Sequence, residues 1–394
     1  MPYLTVDQPG IGGQLKSEPE DFFVEEIPLY LPAGEGQHTY VRIEKRGLST
    51  YATVKMLARA LNISPRAVGY AGLKDAQAIS RQTFSIDNVS PEAVATLDLP
   101  KIKILDVNRH RNKLKIGHLL GNHFVIRVRQ VTRDALPLAK AILKTLIIKG
   151  VPNFFGEQRF GNRMNTHYLG EMIIRTNAQE FVAEYVGRPR PDENARVQTA
   201  RHLVDTGCWS EALTCWPAQL RDERRVLAAI VEAGGSVEVA FRALDTKLRN
   251  LFVSAFQSQL FNELLANRLD HLHRLEDGDV AYIHGKGAAF VVRDAQIEQP
   301  RVDSFEISPS GPLFGPKLLM AEGEPGQREK NILATRGLSL NTFKGPGLKI
   351  RGLRRPYRFQ VKQAKIWWDE GLIISFDLPP GAYATTVMAE IMKV

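Results

Sequence analysis

The stretch Tyr70-Ala71-Gly72-Leu73-Lys74-Asp75-Ala76-Gln77 sets one carboxylate, Asp75, beside a lysine and shortly after a glycine, between a helical and an extended segment. On its own, an Asp in such a loop is a turn or cap residue; kept ionised, it is also a group that could act as a nucleophile. A different chemistry is suggested by the basic segments. Residues Lys344–Lys365 hold eight Lys or Arg (344, 349, 351, 354, 355, 358, 362 and 365) and no acid, with Pro356, Tyr357 and Phe359 interleaved. That mixture suits phosphate neutralisation combined with stacking on bases. Arg109-His110-Arg111-Asn112-Lys113-Leu114-Lys115 is a second cluster. Each alone is more often a solvated face than a binding groove. There is no Walker A loop, no HExxH and no GxSxG, and Gly10-Ile11-Gly12-Gly13 is too irregular for a dinucleotide fingerprint. His271 and His273 fall on different faces of one helix, which disfavours shared metal ligation. Nothing in the sequence requires a cofactor or a metal.

These residues sit in a chain of 394 residues, long enough for two or three domains with their own cores. Lys and Arg number 52 against 43 Asp and Glu, a formal net charge of +9 that favours a polyanionic partner, nucleic acid before membrane. The two cysteines, Cys208 and Cys215, form no CxxC pair and no disulfide framework, as expected for a reducing cytoplasm. The first residues lack the pattern of a signal peptide. The best apolar stretch, Ala141–Ile148, is too short to span a bilayer and is interrupted by Lys144. A soluble, cytoplasmic protein is expected.

Positioning the candidate residues falls to a mixed first part. Val41 and Ile43 alternate with Arg42 and Glu44, a half-buried strand pattern. Ser49 can cap a helix running through Leu61, and Ser64-Pro65 reads as a second helix start. Thr83–Ile86, Lys101–Val107 and His123–Arg129 read as strands, and Ala135–Lys149 as a helix stopped by Gly150 and Pro152. From there helix periodicity dominates, in Asn177–Val186, Asp192–Thr206, Gln219–Ala233 and Asp245–Leu272, followed by a small hairpin over Val280–Val292. Ser308–Asn341, rich in Gly and Pro, reads as a connection. Tyr357–Trp368 and Leu372–Leu378 flank Asp369-Glu370-Gly371 as a second hairpin, and Tyr383–Met392 is helical. The simplest arrangement is an α+β fold: a mixed, mainly antiparallel sheet domain built from both ends of the chain and interrupted by a mostly helical insertion. The alternative is an independent C-terminal module.

Several segments carry a resemblance beyond these patterns. Lys16-Ser17-Glu18-Pro19-Glu20-Asp21-Phe22, the Asp75 stretch, Gly121-Asn122-His123-Phe124 and the eleven residues Val151-Pro152-Asn153-Phe154-Phe155-Gly156-Glu157-Gln158-Arg159-Phe160-Gly161 resemble, in order, the motifs of the TruD family of tRNA pseudouridine synthases. Gly381-Ala382-Tyr383-Ala384-Thr385 is similar to that family's C-terminal element, which commonly has Phe where this chain has Tyr383. The resemblance implies a catalytic domain of pseudouridine synthase type over 1–151 and 336–394, with a TRUD-type insertion at 152–335. It further implies isomerisation of uridine to pseudouridine at uridine-13 of a tRNA such as tRNA-Glu, by a monomer without metal or nucleotide cofactor.

By the same resemblance Asp75 is the catalytic nucleophile. Lys16 is the first candidate to pair with it, with Lys74 and Arg81 as sequence neighbours of unknown direction. Phe22, Asn122, Phe124 and Tyr383 are implied to bind substrate, although Phe22 and Phe124 could be core and Asn122 a turn residue. Arg109, Arg111, Lys113, Arg351, Arg354 and Arg355 are the candidates for RNA contact. Arg159 could hold phosphate, fixed by Glu157, or pair across the domain junction. The rival reading is a catalytically inactive RNA-binding or RNA-folding protein on the same scaffold. A metal-dependent nuclease is weaker, because no cluster of carboxylates or histidines has ligand spacing.

Overall fold

The computed structural model describes residues 2–345 and 347–394; Met1 and Pro346, which fall in the N-terminal stretch and in the basic segment 344–365, lie outside the described residues. The chain divides into two units, one formed by 2–152 with 359–394 and the other by 153–358.

In the first unit the period-2 patterns become β1 (Phe22–Pro28), β2 (His38–Arg46), β3 (Val68–Tyr70), β4 (Ile79–Asp87), β5 (Ile102–His110) and β6 (Leu119–Val128). Together with Lys362–Trp368 and Leu372–Leu378 they make an eight-stranded sheet. Its order is Lys362–Trp368, Leu372–Leu378, β6, β1, β4, β2, β5, with β3 also on β4. Only β1 and β4 pair in parallel; the other neighbours are antiparallel. Since alternate residues share a face, Phe22, Val24 and Glu26 of β1 point the same way as their partners Ile126, Phe124 and Asn122 of β6. Ser80 and Gln82 of β4, and Lys45 and Ile43 opposite them on β2, continue that face.

Two apolar clusters cover it. One packs Phe22, Val24, Phe124, Ile374 and Phe376 against Ile142 and Leu146 of the helix Ala135–Lys149 and Val387 and Ile391 of the helix Ala384–Met392. The other packs Val41, Ile43, Phe84 and Ile86 against Val54 and Leu57 of α1 (Thr50–Ala60), whose N-cap Ser49 accepts the Ala52 N–H as expected. Ser64-Pro65, by contrast, opens only a single 3-10 turn, Pro65–Ala67.

The second unit carries the helices Thr166–Ile174, Ala178–Val186, Ala195–Asp205, Arg221–Glu232 and the long Thr246–Ala266. It also holds a four-stranded sheet, ordered Leu353–Pro356, Ile307–Leu313, Val280–Ile283, Ala288–Val291. One expectation is corrected here. The stretch 308–341 is no mere connection: it contains most of the strand Ile307–Leu313 and the helix Gly323–Ala334. That strand hides from a hydrophobic pattern because its buried positions include Ser308, Pro309, Ser310 and Gly311. A Cβ on Gly311 would lie 2.4 Å from the Tyr357 ring, so the small residue makes room for a large one.

The compact unit runs on past residue 336. Residues 336–358 pack with the insertion, because Leu353–Pro356 pairs with Ile307–Leu313 and Arg354 joins Glu329 of the helix Gly323–Ala334 at 2.7 Å. Among the described residues, no helix is long and apolar enough to cross a membrane.

Candidate active site

The segment before β1 is fixed by a buried carboxylate. Asp21 accepts twice from Arg129 Nε, each at 2.8 Å, and once from the Glu18 N–H at 3.1 Å. Lys16, at φ 56°, turns through the left-handed region that few non-glycine residues adopt. Its ammonium lies 4.6 Å from the centre of the Phe22 ring and forms an ion pair with Asp75. Of the three cations near Asp75 in sequence or motif, Lys16 is the one in contact. Lys74 turns inward to Glu26 at 2.9 Å, and Arg81 reaches Glu44 at 2.8 Å on the opposite face of the sheet.

Asp75 itself accepts the Gln77 N–H at 3.1 Å, closing a local turn. Its side chain keeps 39% of its surface exposed, against 19% for Lys16. Partial burial pushes the Asp75 carboxyl up. The Lys16 ammonium and the N–H groups of Gln77 and Ala76 outweigh that and hold it below the ordinary carboxylate range. The result is a reachable, ionised carboxylate.

The loop carrying it is held from below by polar groups on the covered sheet face. Gln82 donates to the Gly72 carbonyl at 2.7 Å and accepts from Thr50 at 3.1 Å; Thr50 in turn accepts the Lys74 N–H at 2.9 Å. The Lys74–Glu26 pair is buried on both sides. Lys45 is fully buried beneath, bonded to the Leu48 carbonyl and to Ser80 Oγ. Burial, and then the charge on Lys74, pull Lys45 down to about 8, while Asp75 acts in the opposite sense. None of these supports was foreseen except Lys74, which was a candidate for a different role. Their signal in the sequence, a buried position in a strand, helix or loop, is shared with any core residue.

Asn122 is a strand residue, not a turn residue. It pairs with Glu26 on one side and Leu378 on the other. Gly121 permits this close approach, since a Cβ there would lie 2.4 Å from the Leu378 carbonyl oxygen. Asn122 Oδ1 is buried without a hydrogen-bond partner among the described residues. A buried acceptor left open is costly unless something else fills it, so this atom is a ready docking point for an N–H.

Phe22 and Phe124 are both buried and meet edge to face at 6.0 Å. They belong to the core, with only Phe22 capped by the Lys16 ammonium. Tyr383 stands 49% exposed at the N-cap of the helix Ala384–Met392, five residues beyond Leu378. No ring contact joins it to Phe22 or Phe124 among the described residues.

The basic candidates divide. Arg109, Arg111 and Lys113 lie at the end of β5 and beyond it; Arg111 pairs with Glu35, and Lys113 with Asp87 at 2.6 Å. In the other unit, Arg351 is exposed. Arg354 is not available to RNA, because it and Glu329 are each only 4% exposed. Arg355 stacks on Phe155 at 4.1 Å and donates to Asn153. Tyr357 and Phe359, expected to stack on bases, are buried, as is Arg358. Arg159 bonds Ser258 at 3.0 Å and Ser254, both within its own unit.

Comparison with known proteins agrees with this architecture. Residues 1–391 match the family model described as tRNA pseudouridine synthase D (TruD). Proteins described as tRNA pseudouridine synthase D from Geobacter metallireducens and Syntrophotalea carbinolica are each 46% identical over 99% of this chain, covering 97% and 98% of their own lengths. A crystal structure from Methanosarcina mazei, provisionally described as the same enzyme, aligns with a TM-score of 0.89 at 30% identity, over 100% of this chain and 96% of that one. Matched along nearly its whole length in sequence and in backbone, the chain belongs to the tRNA pseudouridine synthase D (TruD) family.

Proposed function

We propose that the chain isomerises uridine to pseudouridine in tRNA with Asp75 as the nucleophile, at uridine-13 of a tRNA such as tRNA-Glu. It acts as a monomer in the cytoplasm, without metal or nucleotide cofactor. The sheet unit is the catalytic domain, and 153–358 is its TRUD-type insertion. The observation that carries this reading is the contact between Lys16 and Asp75, which keeps an accessible carboxylate charged at neutral pH.

The chemistry asks for little more. The N1–C1′ bond breaks, the carboxylate covers the electron-poor centre, and the detached uracil turns. C5 then bonds to C1′ and loses its proton, while N1 gains one, so the reaction is a balanced isomerisation. A base inside folded RNA has to be extruded first, at a cost of a few kcal/mol. The open Oδ1 of Asn122 accepts a uracil N–H in this reading, and the half-exposed Tyr383 ring offers a stacking surface.

The test is conversion of unmodified tRNA by the purified chain, with and without Asp75→Asn, alongside tRNA binding. Loss of product with binding kept supports the assignment. Equal turnover by the variant refutes Asp75. No turnover by either protein, with tRNA bound, favours the inactive RNA-binding alternative.

A further inference from the structure

The sheet unit has a cavity of about 550 Å³ whose lining differs in kind from two others. It is lined by three histidines, His38, His110 and His118, and three cations, Arg111, Lys113 and Lys115, with no carboxylate. A neighbouring cavity, which shares Tyr30 and His118 with it, is lined by Glu25, Glu26, Asp106 and Asp377, and one in the insertion by Glu263, Glu276, Asp279 and Glu329. A pocket without acids is built for a different sign of ligand.

Pairing within it shows which groups remain for a ligand. Arg111 is engaged by Glu35, and Lys113 by Asp87 and the Arg66 carbonyl, each of the latter at 2.6 Å. Lys115 is exposed and has no carboxylate partner among the described residues. His38 faces Asp87 at 2.9 Å and His118 faces the Tyr30 hydroxyl at 2.7 Å. His110 accepts the Ala33 N–H at Nδ1, 3.1 Å away, so in the neutral ring the proton sits on Nε2 as a donor. The Tyr30 ring stacks on His110 at 5.0 Å and Tyr40 leans on it at 4.7 Å, which fixes the ring plane.

Burial, then the charges of His38 and Arg111, hold His110 below the ordinary histidine range, as expected where the surroundings are already positive. A metal fits poorly: among the described residues, no group of three or more His, Cys, Asp or Glu is placed to hold one. The cavity is also tied to the proposed catalytic loop, since Gly117 donates to the Ala71 carbonyl at 2.8 Å.

We propose that this cavity is a phosphate site for the RNA backbone, with Lys115 supplying the charge and His110 Nε2–H a directed hydrogen bond. The inference rests on tRNA being the substrate and specifies where one phosphodiester is gripped. It is tested with the full chain and an unmodified tRNA transcript, by measuring Kd across a range of salt for Lys115→Glu and His110→Gln. Lys140→Glu, an exposed position on the helix Ala135–Lys149, controls for net charge alone.

Lys115→Glu is expected to raise Kd about tenfold beyond the Lys140 control and to lower the salt slope by about one, the signature of one lost phosphate contact. His110→Gln is expected to weaken binding by a smaller factor. A Kd and slope for Lys115→Glu equal to those of the control overturn the proposal. Inorganic phosphate separates the two sources of the ligand. If it perturbs the His110 ring signals while tRNA binding ignores Lys115, the site takes free phosphate and the RNA assignment falls. A wild-type chain that binds tRNA through Lys115 yet makes no pseudouridine would remove the catalytic reading and leave this one standing.

Discussion

Two regions of this molecule looked functional for opposite reasons, and they fold in opposite ways. The segment from Lys344 to Lys365 has dense positive charge and interleaved aromatics, the composition of a nucleic-acid groove. Around Asp75 there is one carboxylate and little else. Yet Arg354 and Arg358 are buried in the insertion, Arg354 on Glu329 and Arg358 against the Phe305 ring at 4.1 Å; Tyr357 is buried there too, and Phe359 is buried in the core of the sheet unit. Asp75 stays open to solvent and is matched by a lysine 59 positions away. Charge density along a chain therefore says little until its partners are known. A guanidinium buried against a carboxylate is part of a scaffold, whereas a half-exposed ion pair can be opened by a ligand.

The comparison can be broken most sharply at Asp75. Replacing it with Asn should lower turnover about 10⁴-fold, the scale of removing one essential catalytic carboxylate, with tRNA affinity and thermal stability little changed. Arg354→Met should do the reverse, costing about 3–5 kcal/mol of stability because Glu329 is left buried and unpaired; denaturant unfolding measures it. Burial already pushes Glu329 above the ordinary carboxylate range, so the double change with Glu329→Leu should recover most of that loss.

Lys45 sharpens the contrast from below. Its pKa is lowered from 10.5 to about 8, so between those values the unfolded chain binds more protons than the native one. Stability should therefore rise with pH across that window, by up to about 3 kcal/mol from this group. Lys45→Met should flatten the rise, and unfolding curves recorded from pH 7 to 10.5 would reveal an unaltered slope if the idea is wrong.

The smallest effect is expected for Lys16→Met, about tenfold in turnover, an electrostatic loss of roughly 1.4 kcal/mol. Without the ammonium, partial burial acts on Asp75 with less opposition, so its pKa should rise. The acid limb of the rate profile should then move to higher pH, whereas in the wild type it lies below the ordinary carboxylate range. A limb that does not move would show that Lys16 serves only as packing over Phe22.

Most of the sheet unit was legible because its pattern is repetitive: alternating Val41, Arg42, Ile43 and Glu44, the cap at Ser49, the stop at Gly150, the turn at Asp369-Glu370-Gly371. The strand Ile307–Leu313 was not, since a strand built of Ser, Pro and Gly carries no alternation to read. Lys16 beside Asp75 was accessible through motif order alone, because nothing local in either segment points to the other. The supports beneath the loop, Thr50, Gln82, Glu26 and Lys45, were not foreseen. Their task depends on which strands become neighbours, and β1 pairs in parallel with β4 across fifty residues of intervening chain.

One feature of the topology bears on how the protein is made. Strand Leu372–Leu378 completes the sheet against β6, but the entire insertion is translated between them. At about 5–20 residues per second, synthesis of the roughly 240 residues between β6 and that strand leaves the rim of β6 without its neighbour for roughly 12–50 s. During that interval the nascent chain offers open backbone donors and acceptors to any other strand it meets. A chaperone, or early packing of the helix Ala135–Lys149 over that rim, would shield it until the last segment emerges from the ribosome.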